Sequence, residues 1–471
     1  MAHKQENRMG LVSLTMITVV NMMGSGIILL PANLAQVGNI SVLSWVVTAI
    51  GAMVLAYAFA RAGTYSNHQG GMGGYAEYAH GRSGNFMTNY TYFVSLVIAN
   101  VAIAVTTVGY GASFLGMELS PVMTGVLTIG CLWLASVLNF GGPRITGKIG
   151  GFTVWGVIIP VAGIAVLGWF WFDPQRYVDA WNPKDMPTFQ ALSASISITL
   201  WAFLGLESAS ANGDAVDNPK RNVPLAVLIA TGITALLYIA STSVIAGIVP
   251  REQLAGSNAP FGLVFAQIMD PTVGKIVIGL MVISCFGSLL GWQFTIAEVA
   301  RSSAVTGYFL PFFAKVSGAG APIVGICVIT FAQTLLSLMT ISPTLNQQFT
   351  SLVNLAVMTN LIPYILSMSA LSSLQRTEKV PAASARTANV VAFIAGLYSL
   401  YALYATGTQA MMYGGLVTFA GWMLYSLVAA RLDHRPVRQP GTGETAVESD
   451  HKGALSAVAA ATERENQRDT R

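Results

Sequence analysis

Two long apolar runs are interrupted by Asn21-Met22-Met23-Gly24-Ser25-Gly26-Ile27 and by Trp201-Ala202-Phe203-Leu204-Gly205-Leu206-Glu207. Glycine at such places predicts that each run is a broken membrane helix. Paired Gly-interrupted hydrophobic segments in the two halves of a chain indicate the substrate site of a secondary transporter. The sequence therefore predicts a binding site between two broken helices.

The composition is that of a membrane protein. Of the 471 residues, 54% are hydrophobic and 9% are charged, against about 25% charged residues in soluble domains. The apolar runs are continuous rather than alternating, which excludes a β-barrel. Runs long enough to cross a core of about 30 Å begin near twelve residues: Leu11, Val42, Phe86, Val122, Gly151, Leu192, Val223, Val273, Ile323, Leu352, Thr387 and Met411.

These runs predict an all-α membrane protein of about twelve transmembrane helices. Spans one to five and six to ten can be laid out as two five-helix repeats, each of which opens with a broken helix, and two extra helices follow at the carboxyl end. Residues 1–10 form a polar amino terminus, 11–432 the transporter domain, and 433–471 a polar tail that we expect to be disordered. The first run is too long for a signal peptide, so we expect it to be a retained span.

The charges predict the orientation of the spans. With twelve spans and the amino terminus inside, 20 of the 24 Lys and Arg residues fall on the cytoplasmic side. Basic residues of short loops are retained in the cytoplasm. Both termini are therefore expected to be cytoplasmic, and the net charge of +4 reflects topology rather than nucleic-acid binding.

Several classes of function are excluded by the residues. None of the five His residues lies in a predicted span, and no nucleophile motif is present on an α/β background, so we expect neither an enzyme nor a bound cofactor. Cys131, Cys285 and Cys327 are too far apart in sequence to predict a disulfide or a zinc site. The Gly-rich segment 66–80 lacks the strand and helix of a phosphate-binding loop and is expected to be a polar cytoplasmic connection.

Glu207 is the strongest candidate for a functional residue. An ionised carboxylate near the bilayer midplane costs about 2.5–3.5 kcal/mol on insertion scales, so it needs a partner, a proton or a cationic ligand. Glu207 is either a counter-charge for an ammonium group or a structural carboxylate bound to amides freed at Gly205.

The other break suggests a complementary site. Backbone N–H groups of Gly24, Ser25, Gly26 and Ile27 would attract a carboxylate at the start of a half-helix, although these glycines could instead serve close helix packing. Aromatic rings can close over a cation, and this role or simple packing is open for Trp201, Trp292 and Tyr425.

Two further acidic residues are weaker candidates. Glu77 lies near an interface, where a stabilising loop contact is an equal alternative. Glu298 stands three residues before Arg301, which is the spacing of an ordinary i,i+3 helix pair. We therefore expect Glu298 to be structural.

Four stretches give the chain a family resemblance. Val20–Ile27, Gly70–Ala79, Leu200–Ser208 and Gly287–Phe294 resemble the basic amino acid/polyamine antiporters of the amino acid-polyamine-organocation superfamily. The resemblance extends over about Met9 to Leu432 and is strongest to the branch that exchanges putrescine and ornithine. It implies inverted five-helix repeats with substrate between the first and sixth helices. It also implies substrate-recognition roles for six residues, namely Glu77, Trp201, Glu207, Trp292, Trp422 and Tyr425.

The function implied by this resemblance is exchange of putrescine for ornithine across a bacterial inner membrane by alternating access. A cytoplasmic ornithine decarboxylase would then be the functional partner, and a homodimer is left open. Cadaverine–lysine exchange, arginine–agmatine exchange and proton-coupled putrescine uptake are the alternatives within this class. A non-transporting amino-acid sensor, with the tail as its output domain, is the alternative from another class.

Overall fold

The computed structural model describes residues 10–24, 26–66, 71–207, 216–342 and 344–432. Ser25, residues 208–215 and the predicted tail, 433–471, therefore lie outside the described residues. The α-helices are α1 Leu11–Met23, α2 Leu30–Val37, α3 Val42–Tyr65, α4 Gly71–Leu115, α5 Pro121–Asn139, α6 Pro143–Thr153, α7 Trp155–Leu167, α8 Pro174–Asp179, α9 Thr188–Trp201, α10 Pro219–Ile248, α11 Arg251–Ala255, α12 Pro260–Ile268, α13 Pro271–Val305, α14 Ile323–Met339, α15 Leu345–Ser369, α16 Leu371–Thr377, α17 Ala382–Ala405 and α18 Thr408–Leu432.

The helices account for the twelve predicted spans, and the predicted all-α fold is confirmed. Within the described residues, nine helical segments are long and apolar enough to cross a membrane, and α1 and α14 are shorter apolar helices. The first span consists of α1 and α2, the fifth of α6 and α7, and the sixth begins with α9. The most extensive helix–helix contact joins α4 to α15, while α10 packs on both α1 and α3.

Both predicted interruptions are present. Helix α1 ends at Met23 and α2 begins only at Leu30, and Gly24 and residues 26–29 form a bend and turns outside both helices. Helix α9 ends at Trp201, and residues 202–207 form turns. Because a helix break frees backbone donors and acceptors, it is tolerated at membrane depth only where protein or a cavity surrounds it.

The two breaks pack against each other through glycine. A Cβ atom built on Gly26 would lie 3.2 Å from the Cα of Ala202, and one built on Gly205 would lie 3.2 Å from the backbone oxygen of Asn21. Gly205 also has a φ of +104°, a conformation that side chains with a Cβ rarely adopt. The backbones can therefore approach closely only because these positions lack side chains.

The Gly-rich segment differs from its prediction as a connection. From Gly71 onward it is helical and forms the start of α4, which bends at Gly81, where φ is 60° and ψ is −158°. The Gly content does not prevent helix formation here because Met72, Tyr75 and Ala76 pack in the interior. Burial of these side chains outweighs the roughly 1 kcal/mol cost of each helical glycine.

Substitution of Gly205 by Ala should destabilise the fold. The left-handed backbone costs a residue with a Cβ about 1–2 kcal/mol, and the new methyl would press on the Asn21 carbonyl. We expect a lower thermal unfolding midpoint for purified Gly205→Ala. The control is Gly291→Ala in α13, where a Cβ meets nothing within 4 Å, and which should unfold at the wild-type temperature or above. Equal midpoints for the two variants would contradict the close approach.

Candidate functional site

Glu207 is the last described residue of the second break and is held by three donors. The hydroxyl of Tyr92 on α4 donates to Oε1 at 2.9 Å, and the hydroxyl of Tyr364 on α15 donates to Oε2 at 2.6 Å. The backbone N–H of Gly205 also donates to Oε2, at 3.2 Å. The carboxylate is thus bound by the amide freed at the break and, in addition, by two tyrosines from helices remote in sequence.

Among the residues that the structure describes, no basic side chain pairs with the negative charge of Glu207. It is 7% exposed and is the only charged residue buried among those described. None of the ion pairs formed within the described part of the chain includes it. Neutral hydroxyl and amide donors stabilise a carboxylate but leave its net charge in place. The site can therefore attract a cation.

The first break packs against the segment that carries Glu207, through Gly26 and Ala202. Gly24 approaches α13 so closely that a Cβ there would be 2.8 Å from the Oγ of Ser288. The carbonyls that flank the break are already used, since Tyr238 donates to Met22 and Tyr110 donates to Ile28. Ser25 lies outside the described residues, so carboxylate binding by the amides of this segment stays a prediction.

The two predicted tryptophans also border the breaks. Trp201 is 5% exposed and meets the ring of Phe349 edge-on at 6.2 Å. Its indole N–H has no hydrogen-bond partner among the described residues. Trp292 on α13 is half-buried, and its ring lies 3.7 Å from a Cβ built on Gly205. The Trp292 ring therefore lies at the second break, while Trp201 ends α9 directly before that break.

Glu77 belongs to a separate cluster. Asn85 donates to its Oε2 at 2.6 Å, and the hydroxyl of Tyr308 is also hydrogen-bonded to Glu77. Burial, followed by the nearby Glu77 carboxylate, raises the pKa of Tyr308 above its ordinary value, so this hydroxyl stays protonated and donates at neutral pH.

The two aromatic candidates of α18 lie on the side of this second cluster. Tyr425 packs with Phe86 and Tyr308, and its ring centroid is 5.3 Å from that of Phe86. Trp422 meets Tyr425 edge-on at 6.2 Å but is itself 49% exposed. Neither residue is among those that contact Glu207 in the described structure.

The predicted site residues therefore fall into two groups along α4. Asn85, beside Glu77, and Tyr92, beside Glu207, are separated by seven residues, which is about 10 Å of helix. Sequence reasoning missed Tyr92 and Tyr364, although a tyrosine within an apolar span is a signal that a buried polar group needs a partner. It correctly placed Glu298 in an ion pair with Arg301.

Comparison with known proteins identifies the family. The family model described as amino acid permease matches residues 9–427. The chain belongs to the amino acid permease family. It is accordingly a multi-pass membrane transporter and not an enzyme. Among the described residues, no three His, Cys, Asp or Glu side chains come together as they would for a metal ion.

Individual relatives of this permease match over most of their length. The chain is 62% identical to the "Putrescine transporter PotE" of Haemophilus influenzae over 91% of the chain and 99% of that relative. It is 60% identical to the protein of the same name from Escherichia coli over 92% of the chain and 99% of that relative. It is 34% identical to the Escherichia coli "Cadaverine/lysine antiporter" over 76% of the chain and 82% of that relative.

Removing one donor from the Glu207 carboxylate should destabilise the permease. Tyr364→Phe deletes the shortest of its three hydrogen bonds and leaves a buried charge undercompensated, at a cost of about 1–3 kcal/mol. We expect Tyr364→Phe to lower the thermal unfolding midpoint of the wild-type chain. It should lower the midpoint of the Glu207→Gln chain much less, because the two side chains interact directly. The control is Tyr404→Phe at an exposed position, which should leave the midpoint unchanged in both chains. Equal losses from Tyr364→Phe in both backgrounds would contradict the contact.

Proposed function

We propose that this permease exchanges putrescine for ornithine by alternating access, with both substrates bound in turn between the two helix breaks. The observation that carries the proposal is the buried carboxylate of Glu207 in the second break, which has hydroxyl and amide donors but no basic partner among the described residues. The names of its two 60–62% identical relatives support putrescine as one substrate.

The two substrates would use this site differently. Each ammonium group is a compact cation with three donors and can bind a carboxylate or a backbone carbonyl. Ornithine also carries a carboxylate, which would lie on the N–H groups of Gly26 and Ile27 at the first break. Putrescine lacks that group and depends more heavily on Glu207.

The tryptophans would complete the binding site. Trp201 ends α9 directly before the second break, and Trp292 of α13 lies near Gly205 of that break. A ring facing an ammonium group contributes about 0.5–2 kcal/mol by a cation–π interaction. Glu77, Trp422 and Tyr425 lie in the second cluster along α4, so we assign them to the path of the substrate rather than to its main contact. These three residues therefore take part in the proposed transport without contacting Glu207.

The membrane potential would oppose the exchange. If a dication leaves for each monocation that enters, one net charge moves outward, at a cost of about 2.3 kcal/mol per 100 mV when the inside is negative. Production of putrescine by a cytoplasmic ornithine decarboxylase would supply the gradient. We place the chain in a bacterial inner membrane with both termini in the cytoplasm, as its distribution of Lys and Arg predicts.

Cadaverine–lysine exchange is the second candidate. It is favoured by the 34% identical relatives named cadaverine/lysine antiporter, whose substrates differ from putrescine and ornithine by one methylene. A methylene in a pocket changes binding by only about 1–3 kcal/mol, so the carboxylate chemistry described above fits both pairs.

Exchange is tested most simply in loaded vesicles. Proteoliposomes containing the full chain and labelled putrescine should release label several-fold faster when ornithine is present outside. A positive-inside potential should accelerate this release, because the net charge moves outward. Equal release with and without external ornithine would contradict the exchange, and faster release with lysine than with ornithine would favour the second candidate.

Glu207→Gln should impair putrescine more than ornithine. The amide keeps the shape of the side chain but removes the charge that the diamine needs, while the ornithine carboxylate retains its amide contacts. We expect the half-saturating concentration in exchange assays to rise roughly tenfold more for putrescine than for ornithine, equivalent to about 1.4 kcal/mol. Glu298→Gln, which alters a carboxylate paired with Arg301, is the control. Equal effects on both substrates would refute the role of Glu207.

A further inference from the structure

The residue that follows Trp292 is the centre of a fully buried polar network. Gln293 is 0% exposed and makes four side-chain hydrogen bonds. Its Oε1 accepts from Asn100 at 2.6 Å and from Gln333 at 3.0 Å, while its Nε2 donates to Ser136 at 3.0 Å and to Thr330 at 2.9 Å. These four bonds use both lone pairs and both N–H groups of the amide.

The network ties α13 to three other helices. Asn100 lies on α4, Ser136 on α5, and Thr330 and Gln333 on α14. Ser136 and Thr330 are also bonded to each other, with their hydroxyl oxygens 2.6 Å apart. The Gln293 amide is fully satisfied, although the side-chain oxygens of Asn100 and Gln333 have no partner among the described residues. Rotation of α13 would break all four of its buried hydrogen bonds, so the network favours one arrangement of the helices around it.

A second attachment lies one turn away on α13. Asn139 of α5 donates to the backbone oxygen of Leu290 at 2.9 Å, and its own side-chain oxygen accepts from Thr146 of α6 at 2.6 Å. Helix α13 is therefore held at Leu290 and at Gln293, which are three residues apart and lie on neighbouring parts of one face.

Other residues of α13, which do not belong to the polar network, contact the two breaks. Ser288 and Trp292 are four residues apart and thus share a face. Ser288 approaches Gly24 of the first break, and Trp292 approaches Gly205 of the second. Because one residue corresponds to about 100° of helix rotation, the direction of Gln293 also determines the direction of Trp292.

We propose that Gln293 is a positioning residue, which fixes the rotation of α13 and so holds the Trp292 ring against the second break and the ligand bound there. This rests on the proposed function for the identity of the ligand, but the position of Trp292 can be measured without one. Gln293 itself contacts neither the breaks nor Glu207 in the described structure; it acts through its neighbour.

A purely structural role for Gln293 makes a different prediction. If Gln293 only stabilised the bundle, Gln293→Met would lower the unfolding temperature, and any loss of affinity would be the same whether or not the indole ring is present. If Gln293 positions Trp292, its effect on affinity must depend on that ring. A double-substitution cycle separates the two roles.

The affinity test uses the purified full chain with labelled putrescine and labelled ornithine. Gln293→Met keeps the length of the side chain but removes all four hydrogen bonds. We expect it to weaken binding of both ligands at least fivefold, and less than twofold when Trp292→Ala is already present. The matched control is Gln375→Met, because Gln375 is also buried but its Nε2 has no partner among the described residues; this variant should bind as wild type does. Equal fold losses with and without Trp292, or no loss, would overturn the proposal.

The position of Trp292 is tested in the absence of ligand. Fluorotryptophan can be incorporated in the full chain and the ¹⁹F resonance of Trp292 assigned by its disappearance in Trp292→Phe. We expect Gln293→Met to shift or broaden this resonance and Gln375→Met to leave it unchanged. An unaltered resonance in Gln293→Met would overturn the proposal. If the wild-type chain bound neither putrescine nor ornithine, the proposed function would fail, while the ¹⁹F measurement would still decide the role of Gln293.

Discussion

The close approach of two non-helical backbone segments is the constraint on which the site depends. A Cβ atom on Gly26 would lie 3.2 Å from Ala202 and one on Gly205 would lie 3.2 Å from Asn21, which is closer than ordinary van der Waals contact. This contact holds the first break against the segment that carries Glu207, and Gly24 and Gly205 also approach α13. A larger residue at either glycine would separate the segments and with them the groups that can bind a substrate.

The net charge of the site depends on the groups that surround the Glu207 carboxylate. Tyr92, Tyr364 and the Gly205 amide donate three hydrogen bonds to Glu207 without neutralising it, and a carboxylate has about four acceptor positions. An ammonium group that enters the site meets this carboxylate in a medium of low dielectric constant, where the attraction is strong. The ammonium group competes with the three donors already present, and we expect it to displace at least one hydroxyl. Exchange between two cationic substrates is helped if neither is bound too tightly.

The sequence predicted the framework of this protein well and the side-chain partners poorly. The Gly-Ser-Gly and Gly-Leu-Glu stretches predicted where α1 and α9 end, because glycine and an ionisable residue in an apolar run are local signals. The pairing of Glu207 with Tyr92 and Tyr364 depends on how three distant helices are rotated, which no local pattern records. For the same reason, Glu77, Trp422 and Tyr425 were grouped with Glu207 by motif, whereas the fold places Glu77 about four turns from Tyr92 on α4 and Tyr425 of α18 against Phe86.

Binding of putrescine at Glu207 between the two breaks is tested most directly by a density map of the full chain with saturating putrescine. We predict an elongated diamine density between the two breaks, with one ammonium group within hydrogen-bond distance of the Glu207 carboxylate and one tyrosine hydroxyl displaced from it. Diamine density beside Glu77 and Tyr308, with the contacts of Glu207 to Tyr92 and Tyr364 unchanged, would contradict it.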